Sequence, residues 1–175
     1  MTDQVTIAKA ELRELQPSGQ ESRDNKVTVQ FNPETLKVSF ANQVVPPATS
    51  GTGTDQRGTA STQFVGKGTT KLSVQLWFDV TSAPYDAEDS TSDVRELTKK
   101  VAYFITPKDS SDEPGKKIPP AVRFVWGSFQ FDGVMESLEE SREFFSPEGV
   151  PLRASLTLSL TQQNIQFAFA QPQAA

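Results

Sequence analysis

Apolar residues recur at every second position over several stretches of the chain, and the longest such stretch lies near its end. Leu152, Ala154, Leu156, Leu158 and Leu160 alternate with Arg153, Ser155, Thr157 and Ser159. A two-residue period held over five apolar positions predicts a half-buried antiparallel strand, one face on a core and one on water or a partner. Two earlier segments complete a meander. Val122, Phe124 and Trp126 share one face of a strand from Ala121 to Trp126, and Gly127-Ser128 offers a two-residue hairpin turn. The return strand opens with Phe129 and Phe131 on one face and runs to Phe144 or Phe145. Its apolar phase slips between Phe131 and Val134, which predicts a bulge at Asp132-Gly133. Ser146-Pro147-Glu148-Gly149 supplies the turn into the last strand.

The first half of the chain repeats the pattern less cleanly. Val5 to Leu15 reads as a strand, with Val5 and Ile7 on one face and Ala8, Ala10 and Leu12 on the other. Gln16 to Asn25 is polar and reads as a loop; Lys26 to Phe31 is a strand with Val27, Val29 and Phe31 inward. Asn32-Pro33 stops it, because proline cannot donate to a ladder. Leu36, Val38 and Phe40 mark a third strand. Lys71 to Asp79 is a strong one, with Leu72, Val74, Leu76 and Phe78 inward and Lys71, Ser73, Gln75 and Trp77 outward. Only Asp93 to Thr106 follows helical spacing, through Val94, Leu97, Val101 and Phe104, with Ser92 as the expected cap and Pro107 as the stop. Lys108 to Lys117 reads as a charged loop.

Between Val45 and Thr69 the alternation disappears into Gly, Thr, Ser, Gln and Asp, which predicts a long flexible loop. Such a loop has few apolar residues to offset an ordering cost of about 1–2 kcal/mol per residue, so we expect it to order against a neighbour. The tail over 162–175 has some alternation at Ile165, Phe167 and Phe169 and reads as an added strand or a segment lying on a neighbour. Together these elements predict one mainly β domain spanning 1–175, an antiparallel β-barrel or sandwich flanked by one helix at about 93–106.

Composition narrows the chemistry. The 175 residues include no cysteine and no histidine, which removes thiolate chemistry and the commonest general base and metal ligand. A formal net charge of -5 argues against nucleic acid as a partner. No apolar run approaches the roughly 18 residues of a membrane span, and the start of the chain lacks the features of a secretory signal, so synthesis and assembly in the cytoplasm are expected. The best catalytic candidates are Glu136, Glu139, Glu140 and Glu143. On a strand, Glu139 and Glu143 stand about 13 Å apart at roughly 3.3 Å per residue, too far for either glycosidase geometry, and a solvated face explains them more simply. Gly66-Lys67-Gly68-Thr69 lacks the first glycine of a phosphate loop, and Asp86, Glu88 and Asp89 lack calcium-loop spacing. We therefore expect no catalysis, cofactor or metal. The expected role is structural, with Arg57, Gln63, Trp77 and Arg153 as candidate protein-interface residues. An outward Trp77 fits either a partner anchor or a residue packed under a neighbouring loop. Arg153 fits either an ion pair with a neighbouring subunit or an exposed pair within its own subunit. A small β-barrel binding module without enzymatic activity is the alternative.

Several short motifs occur in a telling order: Val29-Gln-Phe-Asn-Pro33 with Leu36, Asp93-Val-Arg-Glu-Leu-Thr98, Pro119-Pro120 leading to Trp126-Gly-Ser-Phe129, and Phe145-Ser-Pro-Glu-Gly149 before Pro151-Leu-Arg-Ala154. From about Val27 to Leu160 the chain resembles the tube-like baseplate adaptor proteins of contractile injection systems, the phage-tail-derived particles that drive an inner tube and spike into a target. The resemblance implies a tail-tube-like fold and copies arranged as a ring, by analogy six, between the inner tube protein and the spike-bearing hub. Many members continue into a LysM domain, which is not expected within the residues after Leu160.

Overall fold

A computed structural model of the chain describes residues 6–42, 44–45, 63–64, 68–82, 91–110 and 113–162. The alternating segments become β1 (Glu11–Leu15), β2 (Glu21–Thr28), β3 (Leu36–Ala41), β4 (Val44–Val45), β5 (Gln63–Phe64) and β6 (Thr69–Asp79). The helix α1 (Arg95–Ala102) follows, then β7 (Lys108–Asp109), β8 (Lys117–Ile118), β9 (Ala121–Trp126), β10 (Phe129–Phe145) and β11 (Pro151–Gln162). Seven of the strands form one antiparallel sheet in the order β2-β1-β9-β10-β11-β6-β3. The protein is thus mainly β with one short helix.

The sheet is open, not a closed barrel, and its two outer strands among the described residues are β2 and β3. A side chain spans part of the gap. After β2, the Gln30 amide donates to the Asp79 carbonyl at 2.8 Å and accepts from the Asp79 N–H at 2.8 Å, doing for the end of β6 what a ladder rung would do. Asn32 repeats the device, accepting from Ala10 N–H at 3.0 Å and donating to the Ala8 carbonyl at 2.8 Å. These two amides satisfy backbone groups that the ladders miss.

The buried face is the one the alternation marks. Leu72, Val74, Leu76 and Phe78 on β6 and Ala154, Leu156, Leu158 and Leu160 on β11 are all buried, as are Val122, Phe124 and Phe131. Val94, Leu97, Val101 and Phe104 bury the helix stripe against them. Several expectations need correction. Phe31 is 41% exposed, because β2 ends at Thr28 and the chain turns toward Asn32-Pro33. β1 starts only at Glu11, and β2 already starts at Glu21, after a turn in which Gly19 adopts φ 80. The helix is shorter than 93–106: Val94 stands at its cap with no side-chain cap bond, while Asp93 Oδ1, not Ser92, accepts the Arg95 N–H at 2.9 Å. Residues 103–106 continue it only as turns. The β7–β8 ladder lies within the stretch read as a charged loop, and β4–β5 lies within the long loop read between Val45 and Thr69. Residues 46–62 and the tail beyond Gln162 lie outside the described residues.

The bulge is also displaced. β9 and β10 pair without a break from Trp126↔Phe129 to Ala121↔Val134, and the irregularity falls on β10 between Met135 and Ser137, opposite β11. Phe131 and Met135 keep one phase, so Val134 is outward, and the slip belongs to Glu136. Gly133 answers a different need: a Cβ there would stand 2.6 Å from the Thr161 carbonyl oxygen.

Candidate assembly surface

The outward face of β10, β11 and β6 is built in rows by the ladder register. Ser137, Ser159 and Ser73 form one row, Glu139, Thr157 and Gln75 the next, then Ser141, Ser155 and Trp77, then Glu143, Arg153 and Asp79. Alternation makes the face polar, and register decides which polar groups meet. Two of the four candidate residues thereby reach adjacent rows at one end. Trp77 is 37% exposed, and its cross-strand neighbour Ser155 is buried despite lying on the outward face.

Arg153 is held within the subunit. Its Nε donates to Asp79 Oδ2 at 2.9 Å, and a terminal nitrogen stands 2.8 Å from the same oxygen. Asp79 Oδ1 accepts from the Thr81 N–H at 2.8 Å and hydroxyl at 2.5 Å. Burial pushes the Asp79 carboxyl up, but the Thr81 donors and the Arg153 guanidinium outweigh it and hold it below the usual carboxylate range. On its other side the Arg153 guanidinium lies over the Phe144 ring, 4.4 Å from the centroid.

Phe144 and its neighbour Phe145 are 61% and 59% exposed, where β10 turns toward β11. Phe144 adopts φ 52, a left-handed conformation that a bulky L-residue seldom takes. Arg153 with the Phe144 ring it covers, the exposed Phe145, and Trp77 one row in from Arg153 thus mark one end of the polar sheet face. Sequence reasoning missed the two phenylalanines as surface groups, because alternation alone assigns one of them inward. Of the remaining candidates, Gln63 pairs through its backbone with Val45, its side chain lying outside the described residues, as does Arg57.

The four glutamates do not converge. They lie along β10: Glu136 accepts from Lys71 at 2.7 Å and from the Thr161 hydroxyl at 2.6 Å, and Glu140 accepts from Arg142 at 3.0 Å and the Thr98 hydroxyl at 2.9 Å. The Lys71 and Arg142 hydrogen bonds hold both carboxyls below their ordinary range. A second ionic network, invisible before the register was known, covers the outward side of β1, β9 and β10. Arg123 binds Asp132 at 2.7 Å and Glu21 at 3.1 Å, and Arg13 binds the same Glu21 at 2.6 Å. Burial pushes Glu21 up, and the two guanidinium groups pull it below its usual range.

One antiparallel sheet backed by one helix, with a long polar face that ends in exposed aromatics, defines a β-sheet scaffold protein. The family model of the contractile injection system tube protein matches residues 6–168, and the chain belongs to that family. It is therefore a structural, β-rich component of a contractile injection particle, and the family fits assembly with other particle components. No curated protein matches the chain.

Proposed function

We propose that this chain is a ring-forming adaptor that joins the inner tube of the particle to the spike-bearing baseplate hub. Six copies make the ring in this reading, by resemblance to the tube-like adaptors. The observation that carries it is the cluster at the end of the outward face. A residue with φ 52 such as Phe144 costs about 1–3 kcal/mol, yet in the free subunit its ring is more than half exposed. Contact with a neighbour would bury both rings and offset that cost at roughly 25 cal/mol per Å² of apolar surface. Arg153, which covers the Phe144 ring, and Trp77 on the same face are of the residue types that dominate interface energetics. In the same reading the segment between Val45 and Thr69, including Arg57 and Gln63, is a second contact element. The protein has no enzymatic role, and it is made and assembled in the cytoplasm before the particle is released or attached to a membrane.

The test is co-expression with the tube and hub proteins encoded beside it, followed by size-exclusion chromatography and negative-stain electron microscopy. Rings that bridge tube and hub are expected. Trp77→Ala combined with Phe145→Ser should leave a folded subunit that no longer enters them. A subunit that binds neither protein, or rings indifferent to both substitutions, would overturn the proposal.

A further inference from the structure

The β10–β11 hairpin gives Phe144 no local reason for its left-handed backbone. Glu143 pairs with Arg153 and Phe145 with Pro151, so one residue stands between the pairs on each strand and no bulge intervenes. The turn is also complete without it. The Ser146 N–H donates to the Val150 carbonyl and the Gly149 N–H to the Ser146 carbonyl, each at 2.8 Å, and Gly149 supplies the turn's own left-handed residue at φ 82. Alternation would send Phe144 to the face of the buried Ala154 and Leu156, opposite to that of Glu143 and Arg153. Its ring lies instead against the Arg153 guanidinium, 4.4 Å from the centroid, and the residue is 61% exposed.

We propose that Arg153 is a positioning residue, which holds Phe144 in this conformation and keeps its phenyl ring at the surface. The guanidinium is itself fixed. Its Nε and a terminal nitrogen both reach Asp79 Oδ2, at 2.9 and 2.8 Å, and Thr81 holds the other carboxylate oxygen. A cation over an aromatic face is worth about as much as the lower part of the cost of a left-handed bulky residue, and a guanidinium already held by Asp79 needs no further ordering to make the contact. Engaged with Asp79 in its own subunit, Arg153 contributes to a neighbour the phenyl ring it places, not an ion pair across the interface. Phe145 has the outward parity of Glu143 and is 59% exposed, so two successive phenyl rings reach the surface. A neighbour that docks on Phe144 meets a side chain already fixed, which lowers the ordering cost of association. That use rests on the assembly proposed above; the hold of Arg153 on Phe144 does not.

Nuclear magnetic resonance of the full-length free subunit tests the hold. The φ angle of residue 144 is read from its own HN–Hα Overhauser effect and three-bond coupling. Positive φ is expected in the native chain and in Phe145→Ser. A return to strand values is expected when Arg153→Met is combined with Asp79→Asn, the second change removing the charge that the first would strand. Positive φ in that double variant would overturn the proposal. The melting temperatures of Phe144→Ala and Phe144→Gly give a readout that leaves Arg153 in place. Without a phenyl ring to hold, residue 144 relaxes into the strand, where alanine is favoured over glycine, so Phe144→Ala should melt about 1–4 °C above Phe144→Gly. A more stable Phe144→Gly would mean that the backbone imposes the left-handed conformation unaided, and would likewise refute it. In co-expression with the tube and hub proteins, Phe144→Ala and the double variant should each enter assemblies about tenfold less than the native chain, and combining them should lose no more, since both remove the same contact. Undiminished entry together with the change of φ would leave the positioning role standing and overturn the assembly reading instead.

Discussion

Replacing Gln30 by Met tests whether two side-chain hydrogen bonds hold the ends of the open sheet together. Methionine keeps the length and most of the volume of glutamine and removes both polar atoms. In the native protein those atoms pair with the N–H and the carbonyl of Asp79 at 2.8 Å each. Asp79 is only 7% exposed, so water has little access to the groups left behind. Each buried backbone group stranded without a partner costs about 1–3 kcal/mol, so the variant should lose about 2–5 kcal/mol. For a chain of this size that corresponds to a fall in melting temperature of roughly 5–15 °C. Urea denaturation followed by circular dichroism should show a lower midpoint with an unchanged slope. Gln75→Met, an exposed amide on the outward face of β6, is the control and should shift stability by less than about 0.5 kcal/mol. Equal losses in the two variants would refute the argument, since the clasp would then contribute no more than a surface amide.

Leu156→Ala should cost about 2–5 kcal/mol in the same assay, because Leu156 is 1% exposed, whereas the exposed Thr157→Ala should cost under about 0.5 kcal/mol. Gly133→Ala should cost about 1–3 kcal/mol, because its Cβ would meet the Thr161 carbonyl oxygen at 2.6 Å and push β10 from β11. The Asp79 carboxyl titrates lower in the folded protein than in the unfolded chain, so the stability it contributes is full above its unfolded value of about 3.8 and is lost as pH falls further. Asp79→Asn should therefore flatten the decline of stability with pH below about 4, measured by urea midpoints; an unchanged decline would assign it to other carboxylates.

Much of the fold was legible because strand faces are a local property. A side chain's face follows from its parity, so Leu72 to Phe78 and Ala154 to Leu160 could be assigned inward from the alternation, and the structure buries them all. The helix stripe from Val94 to Phe104 was legible for the same reason at a different period. The motifs from Val29 to Ala154 pointed to the family that the match over residues 6–168 establishes.

What needed the tertiary structure is whatever depends on two distant segments meeting. The bulge sits at Glu136, because the register with β11 sets it, not the nearest glycine. Gly133 is small because the β11 backbone passes close by, and Arg153 is paired because β6 brings Asp79 opposite it. Gln30 and Asn32 look like ordinary polar residues around a turn until the chain folds back on Asp79 and Ala10. Parity decides which way a side chain points within its own strand, but only the order and register of the strands decide what it meets there.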